Sequence, residues 1–355
     1  MIRVFESTST DFDENNGECV LLPVRCEVTN NLNGDFYVEI ETTRKYLDFL
    51  EGGKIIAINI AGDVEGFRVR TIDVDSEKVT VKAYHVSYDM EYFTVRDYRT
   101  VYGDGEIVLY GLFAASNPPT EISALTYATD VTDIHEYHFT YMSLAEAVQI
   151  VCEVWNANLV RHNWNIGVYK SISRETEYEF LYGKNLENVE RLTNWDNVVT
   201  KILPIGKDGT LLSDLDYSRS SYIISDVQYP WMPFGTKIVN FTQDGIYEDD
   251  YKNSDGEVDE IAYKTALIED LEEAATFYLN THKVPLVSYN ISTYAHADLK
   301  LGDKVTVKDE GLGVDIRTQV IGYKYDAVLK EFSEFTLGNF QPTLSDIGKL
   351  VAQNS

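Results

Sequence analysis

The chain has few cysteines and no long apolar run. Its three cysteines, Cys19, Cys26 and Cys152, are odd in number and match no C-x-x-C metal spacing, which predicts reduced thiols in a cytosolic setting. The longest apolar stretch, residues 107–115, falls well short of the ~20 residues that cross a bilayer. The start of the chain lacks the apolar segment that directs secretion. We therefore expect a soluble protein made in the cytoplasm, without a membrane anchor.

Positive charge is scarce. The chain has 30 Lys and Arg against 58 Asp and Glu, a formal net charge of −28. Surfaces that bind DNA phosphates or anionic lipid need clustered Lys and Arg, so direct binding of either is not expected. Hydrophobic residues make up 44% of the 355 residues, enough for a packed core, and the length predicts about two or three domains.

A phosphate-binding loop is suggested at one place only, and the pattern fails there. Gly206-Lys207 follows a β-branched run, as in the G-x-x-x-x-G-K-[ST] signature. However, Lys201 occupies the position of the first glycine and Asp208 that of the hydroxyl. The stretch is instead typical of a strand that stops at Pro204 and turns between Gly206 and Gly209.

Catalytic and metal-binding motifs are also missing. His135 and His138 are one residue too close for the H-E-x-x-H zinc motif. Residues 11–22 begin like a calcium loop but lack its glycine and its glutamate at the required positions. No G-x-S-x-G elbow occurs, no cysteine has a basic neighbourhood, and nothing singles out one carboxylate pair among so many acids. We predict no catalytic residue, no metal site and no cofactor.

The periodicity of apolar residues predicts strands at both ends and helices between them. Phe36, Val38 and Ile40 alternate with polar residues, as expected of a half-buried strand. Ser143 and Glu146 form a capping box, which predicts the start of a helix. A second helix is predicted over residues 259–281, with one face made by Ile261, Leu267, Leu271, Ala275 and Tyr278.

One plan of strands occurs twice, about 250 residues apart. Each copy has a strand, a short apolar segment, a glycine turn, another strand and a two-stranded ribbon. The turn reads Gly52-Gly53-Lys54 in the first copy and Gly302-Asp303-Lys304 in the second. This similarity predicts a duplicated small β-barrel, although two unrelated β meanders remain the alternative. Residues 198–209 would supply the first strand of the second barrel.

The predicted fold class is α+β, mainly β, with two small related β-barrels plus mixed α/β lobes. The predicted domains are a first barrel over 1–98, an α+β lobe over 99–188, a second, discontinuous barrel over 189–212 and 283–340, an α+β insertion with a long helix over 213–282, and a C-terminal tail over 341–355.

Taken together, these stretches resemble the trimeric hub proteins at the distal end of phage tails, a family also called prophage tail endopeptidases or tail-associated lysins. The resemblance is carried, in matching order, by NLNGDFYVEIE (31–41), residues 50–58, AYHVSYDM (83–90), NLENVE (185–190), VVTKILPIGKDG (198–209) and LGDKVTV through FTLGNF (301–340). It covers the chain almost end to end. The positions that we take as the signature of the two barrels are Gly52, Gly53, Lys54, Pro204, Gly206, Gly209, Gly302, Asp303 and Lys304.

The resemblance implies a structural role in the virion tail, assembled in the host bacterial cytoplasm. The chain would form a homotrimer that closes the tail tube and joins it to the tail-tip or receptor-binding proteins. DNA would pass through the ring without specific binding. In family members named as endopeptidases the peptidase follows the hub, whereas this sequence ends fifteen residues after LGNF. We therefore expect no enzyme.

Two alternatives to the structural role remain open at this point. The first is a tail-associated peptidoglycan hydrolase that acts in cell-wall penetration. The second is a carbohydrate- or receptor-binding module. The 25 tyrosines do not decide between these classes, because tyrosine suits protein contacts and ordinary strands equally.

Overall fold

The computed structural model describes residues 1–12, 17–116, 125–196, 198–229, 237–241, 243, 246–253, 256–293, 299–309 and 314–338. Strands dominate these ranges, so the predicted class, α+β and mainly β, is confirmed. The expected tail over 341–355 lies outside the described residues, as do residues 13–16 of the calcium-like stretch.

The elements follow one another along the chain as four groups. The first is β1 (Ile2–Phe5), β2 (Cys19–Leu21), β3 (Arg25–Asn31), β4 (Phe36–Thr43), β5 (Ile55–Ile60), β6 (Asp63–Val74) and β7 (Lys78–His85), with 3-10 helices at Arg44–Phe49 and Val86–Tyr92. The second is β8 (Thr94–Gly103), α1 (Gly105–Ala115), β9 (Thr126–Thr129), β10 (His135–Ser143), α2 (Leu144–Val154), β11 (Asn158–His162) and β12 (Asn165–Tyr169). The third is β13 (Arg174–Leu181), β14 (Leu186–Asn194), β15 (Lys201–Ile205), β16 (Ile223–Ile224), β17 (Lys237–Asn240) and α3 (Glu260–His282), with 3-10 turns at Lys207–Gly209 and Glu248–Tyr251. The fourth is β18 (Leu286–Thr293), β19 (Asp303–Asp309), β20 (Val314–Asp326) and β21 (Glu331–Gly338).

The chain divides into two compact units. Unit 1 consists of Met1–Ile134, His138–Leu192 and Ser288–Ser355, and unit 2 of His135–Tyr137 and Thr193–Val287. Among the helices within the described ranges, none is both long and apolar enough to cross a membrane.

The main sheet of unit 1 contains the same strand order twice. It has thirteen strands within the described residues, and the order β4-β7-β6-β5-β1 in its first part matches β18-β21-β20-β19-β13 in its second. Corresponding strands also follow each other in the same order along the sequence, so the repeated plan predicted from the sequence is present. The last strand differs, because β1 is antiparallel to β5 whereas β13 is parallel to β19.

The two repeats also agree in register. The backbone N–H of Gly53 donates to the Val69 carbonyl oxygen at 2.9 Å, and that of Gly302 donates to the Val320 oxygen at 2.9 Å. In each repeat a bulge in the ladder follows that valine. Both glycines have left-handed φ angles, +90° and +91°, which glycine adopts without a steric cost.

Strands β3 and β20 join the repeats into one sheet. They pair antiparallel from Asn31 opposite Gly322 to Glu27 opposite Asp326. A single buried apolar cluster contains side chains of both repeats, from Val28 and Val38 to Phe180 and Phe335. The sheet does not close on itself among the described strands, so the closed barrels of the sequence prediction are not confirmed.

The local sequence signals place most elements correctly. In β4 buried and half-buried residues alternate, as predicted, and Ser143 and Glu146 make both bonds of the capping box. The predicted apolar face of α3 needs one correction. Leu267, Leu271 and Ala275 are buried, but Ile261 is 71% exposed. Ile261 lies in the first turn of the helix, where the apolar spacing of the sequence does not ensure that a side chain finds a packing partner.

Unit 2 holds the stretch 198–209, and its position differs from the prediction. The strand is confirmed as β15, but it pairs with β16 and β17 in a separate three-stranded sheet and not with the second repeat. Ile202 of β15 packs against Ala275 and Leu279 of α3, which explains its apolar character. Pro204 lies inside the strand, where proline cannot donate a backbone hydrogen bond. It is tolerated there because the pairing with β16 ends at Ile202 and needs no N–H donor from residue 204.

The strands that complete the second repeat come from residues 174–194. Strand β13 pairs with β19, and β14 pairs with β18. These positions differ from the prediction, which places the first strand of that barrel at 198–203. A run of β-branched residues predicts a strand but does not specify its partner, since pairing depends on the tertiary structure.

The equivalent glycines give a matched test of the repeat. An added Cβ at Gly53 meets open space, whereas at Gly302 it would lie 2.3 Å from the Ile172 carbonyl oxygen. We expect Gly53→Ala to cost about 1 kcal/mol of unfolding free energy from backbone strain, and Gly302→Ala at least ~2 kcal/mol more. Urea unfolding of both variants checks this. Equal losses would contradict the close approach at Gly302.

Candidate functional site

The second signature turn is fixed by a buried aspartate. The side chain of Asp303 is 1% exposed and accepts hydrogen bonds from Nε and Nη2 of Arg174, both at 2.7 Å. It also accepts from the backbone N–H of Lys300 at 2.9 Å. Lys304 lies outside, where its Nζ pairs with Glu175 at 2.7 Å. The turn of Gly302 is thereby tied to β13.

The first signature turn is held by a similar pair. Arg68 binds both oxygens of Asp89, each at 2.6 Å, and its Nη1 donates to the Gly53 carbonyl oxygen at 2.7 Å. Lys54 pairs with Glu18, and Gly52 has free space around its Cα. Bidentate arginine–carboxylate pairs fix orientation as well as distance, so each repeat has a rigid glycine turn. Neither the pairing of Arg68 with Asp89 nor that of Arg174 with Asp303 could be predicted from the sequence.

The third signature stretch is a turn built around one glutamine. Oε1 of Gln243 accepts from the backbone N–H of Lys207 at 2.9 Å, and a Cβ at Gly206 would lie 2.2 Å from that oxygen. Gly209 has a left-handed φ of +76°. Nζ of Lys207 donates to the Ile246 carbonyl oxygen at 3.0 Å. These contacts make the stretch a structural turn, and the Lys207 side chain is hydrogen-bonded as part of it.

Sequence analysis missed a buried cluster where the hairpin β11–β12 meets β6. The carboxylate of Glu65, a residue 7% exposed, accepts from His162 Nδ1 at 2.8 Å, from the Asn163 N–H at 2.9 Å and from His85 Nε2 at 3.0 Å. Nδ1 of His85 accepts from the Ser87 backbone N–H at 3.3 Å. His85 is therefore the neutral Nε2–H tautomer. The spacing of these residues carried no signal, since they come together only in the fold.

The charge state of the cluster follows from its surroundings. Burial alone would raise the pKa of Glu65, but hydrogen bonds from His162 and His85 outweigh it and hold that pKa at about 2. Burial lowers the pKa of His85, in agreement with its neutral form. The cluster thus carries a stable anion at neutral pH, bound by three donors.

Two asparagines in hairpin turns also hold the β11–β12 hairpin against the first repeat. Asn33, in the β3–β4 turn, donates from Nδ2 to the Ala157 carbonyl oxygen at 2.8 Å and accepts from the Leu159 N–H at 2.6 Å. Asn163, in the β11–β12 turn, likewise bonds to the backbone of Val64 and Gly66. Both asparagines have left-handed φ angles, +54° and +49°. Each side chain imitates a strand neighbour, which locks the hairpin onto the first repeat.

The cluster has the connectivity of a catalytic triad but not its access. Ser87 Oγ lies 2.8 Å from His85 Nδ1, and His85 Nε2 lies 3.0 Å from Glu65. Ser87 is only 1% exposed, so a substrate carbonyl has no path to its hydroxyl. The arrangement fixes a loop and does not support acyl transfer.

The other side chains that could take part in catalysis or metal binding are either buried or too scattered to form a site. His138 pairs with Asp97 at 2.9 Å on the surface. In the ranges that the structure covers, no three His, Cys, Asp or Glu side chains are grouped to hold a metal ion. Burial raises the pKa of Cys152 to about 12 and also raises that of Cys26, which leaves both thiols unreactive.

Comparison with known proteins places this fold among phage tail proteins. Residues 174–348, just under half of the chain, match the family described as prophage endopeptidase tail. The structure is similar to prophage tail protein gp18 of Listeria monocytogenes EGD-e, with 14% identity, a TM-score of 0.63, and 99% of this chain and 98% of that one covered. It is also similar to a tail protein of Neisseria meningitidis MC58 (12% identity, TM-score 0.61, 95% and 96% covered). A third relative is the 43 kDa tail protein of prophage MuSo2 of Shewanella oneidensis (10% identity, TM-score 0.59, 89% and 94% covered).

Among curated proteins, none matches the chain. The family match and the shared fold nevertheless agree with the motifs found in the sequence. They show that the chain has the fold of these prophage tail proteins and that residues 174–348 match the prophage endopeptidase tail family.

The Glu65 cluster predicts a specific pH dependence. The folded pKa of Glu65, about 2, lies below its ordinary value of 4.5. Its stabilisation is therefore complete above about pH 4.5 and is lost as the pH falls towards 2, and at pH 7 it amounts to about 3 kcal/mol. Glu65→Gln should cost about that much at pH 7 and much less at pH 2.5, measured by denaturant unfolding.

Glu187 provides the control, because it is exposed on β14 and forms no ion pair within the described part of the chain. We expect Glu187→Gln to change the unfolding free energy by less than about 0.5 kcal/mol at either pH. A loss for Glu65→Gln that stays constant with pH would show that packing, and not the carboxylate charge, stabilises the junction.

Proposed function

We propose that this chain is the structural hub subunit of a phage tail, a trimer that closes the distal end of the tail tube and connects it to the tail-tip or receptor-binding proteins. The observation that carries the proposal is the repeated strand order within one sheet, with Gly53 and Gly302 in the same register. A protein with two equivalent repeats can present the same surface twice.

This duplication would allow a hub of three chains to match a tail tube of sixfold symmetry. The resemblance to phage tail hubs implies a tail tube built from rings of six subunits, and such a ring needs six equivalent contacts. Three chains with two repeats each would supply them. The paired strands β3 and β20 support this role, because they hold both repeats of a chain in one rigid body. In this proposal residues 1–98 form the first ring element, and residues 174–194 and 286–338 form the second.

The ring would leave a channel for DNA, and the charges fit passage without binding. Phosphates are held by clustered, unpaired Lys and Arg. On the polar face of the sheet the cations have acidic partners at 2.8–3.9 Å, as in Lys78–Glu41, Arg25–Glu27, Lys324–Glu334 and Lys82–Glu39. With a net charge of −28, such a subunit would repel the duplex and let it slide.

The trimer is tested in an assembled tail. We expect a reconstruction of the tail tip to show three copies of this chain at the distal end of the tube, with six repeats facing the last tube ring. Light scattering of the isolated chain gives the stability of the trimer without the tube. A hub density with two or with six copies would contradict the proposal.

We also propose that the chain has no lytic activity, since the Ser87–His85–Glu65 cluster is buried and the described ranges contain no group of side chains that could hold a metal ion. Incubation with purified Gram-positive cell walls should give no loss of turbidity and no release of amines. Tail-tip preparations with a known lytic protein provide the positive control. Release that a single His or carboxylate substitution abolishes would favour the peptidoglycan hydrolase instead.

A further inference from the structure

Unit 1 contains a cavity of about 480 Å³ between the β11–β12 hairpin, the start of β6 and the second repeat. This volume lies in the range of small-molecule sites, ~300–1,000 Å³. Its walls are mainly aromatic and aliphatic, and include Phe36, Ile60, Tyr169, Leu301, Tyr323 and Phe332. Its polar lining consists of Asn30, Asp63, Glu65, Arg161, His162 and Lys300.

Arg161 has an unusual set of partners among these groups. Its Nη2 donates to the carbonyl oxygens of Asn31 and Gly34, at 3.2 and 2.6 Å. The guanidinium also lies over the rings of Phe36 and Tyr88, 5.7 and 5.4 Å from their centroids. Within the described part of the chain, no carboxylate pairs with it, although acids outnumber bases almost two to one.

The two acids of the cavity are already neutralised or bound. Asp63 pairs with Lys300 at 3.0 Å, and Glu65 is held by the donors of its own cluster. His85, which contacts Glu65, is neutral. Arg161 therefore has no carboxylate in direct contact among the described residues, although the formal charges of Asp63, Glu65, Arg161 and Lys300 along the cavity sum to zero.

We propose that this cavity binds a small organic anion, a carboxylate on an aromatic or apolar body, with Arg161 as its anchor. Arginine presents planar donors that match a carboxylate, and Nε and Nη1 are not engaged by the bonds to Asn31 and Gly34. The apolar body would lie against Tyr169 and Phe332. Such a site adds ligand binding to a tail protein and is independent of the trimer.

Benzoate is a suitable probe, with benzyl alcohol as its neutral analogue and inorganic phosphate as an anion without an apolar body. We expect calorimetric titration of the full chain at about 0.15 M salt, where long-range repulsion is screened, to show saturable binding of benzoate. Benzyl alcohol and phosphate should each bind at least ~10-fold more weakly, because each lacks one of the two recognised features. Equal binding of all three, or no binding of benzoate, would overturn the proposal.

Two pairs of variants locate the site. Arg161→Gln should weaken benzoate binding about 10- to 100-fold, while Arg161→Lys should retain part of it. Since Arg161 also supports the β3–β4 turn, a second test fills the space and keeps the charge. Val160→Trp, at a position that lines the cavity, should abolish binding, whereas Glu187→Trp, at an exposed position of β14 outside the lining, should not. Benzoate binding that survives Val160→Trp would place the ligand elsewhere and contradict the assignment.

Discussion

The pairing of β3 with β20 is the interaction on which the rest of unit 1 depends. It connects two copies of one strand order, so that their apolar faces form a single core with Val28 and Phe335 in the same cluster. Backbone bonds at both ends extend the ladder, from Leu32 N–H to the Ile321 oxygen and from Ala327 N–H to the Cys26 oxygen, each at 2.8 Å. Without this ladder each repeat would expose an unpaired strand edge, which favours non-specific association.

The hairpin β11–β12 is positioned by polar contacts on this frame. Glu65, Asn33 and Asn163 supply partly buried hydrogen bonds whose loss would leave unsatisfied groups, so the junction specifies one arrangement. The same junction lines one side of the cavity around Arg161. The contacts that fix the lobe and the proposed ligand site therefore share residues, since Glu65 and Arg161 belong to both.

The local elements could be predicted from the sequence, whereas their partners could not. The alternation in 36–41 and the Ser143–Glu146 capping box depend on residues close in sequence, and both predictions are confirmed. The strand at 198–203 was also real, but its pairing with β17 depends on burial under α3. The Glu65 cluster joins residues nearly a hundred positions apart, and single Glu and His residues carry no spacing signal. The duplication was visible because glycine turns with positive φ leave a recognisable sequence pattern.

Amide hydrogen exchange tests most directly whether the two repeats form one cooperative body. The account predicts that the amides of β3, β4, β20 and β21 exchange only through a common opening, with the same free energy and the same dependence on denaturant. A slow common step for strands on both sides of the β3–β20 ladder would agree with a hub that acts as one rigid element. Exchange of the first repeat in a separate step of clearly lower free energy than the second would contradict it.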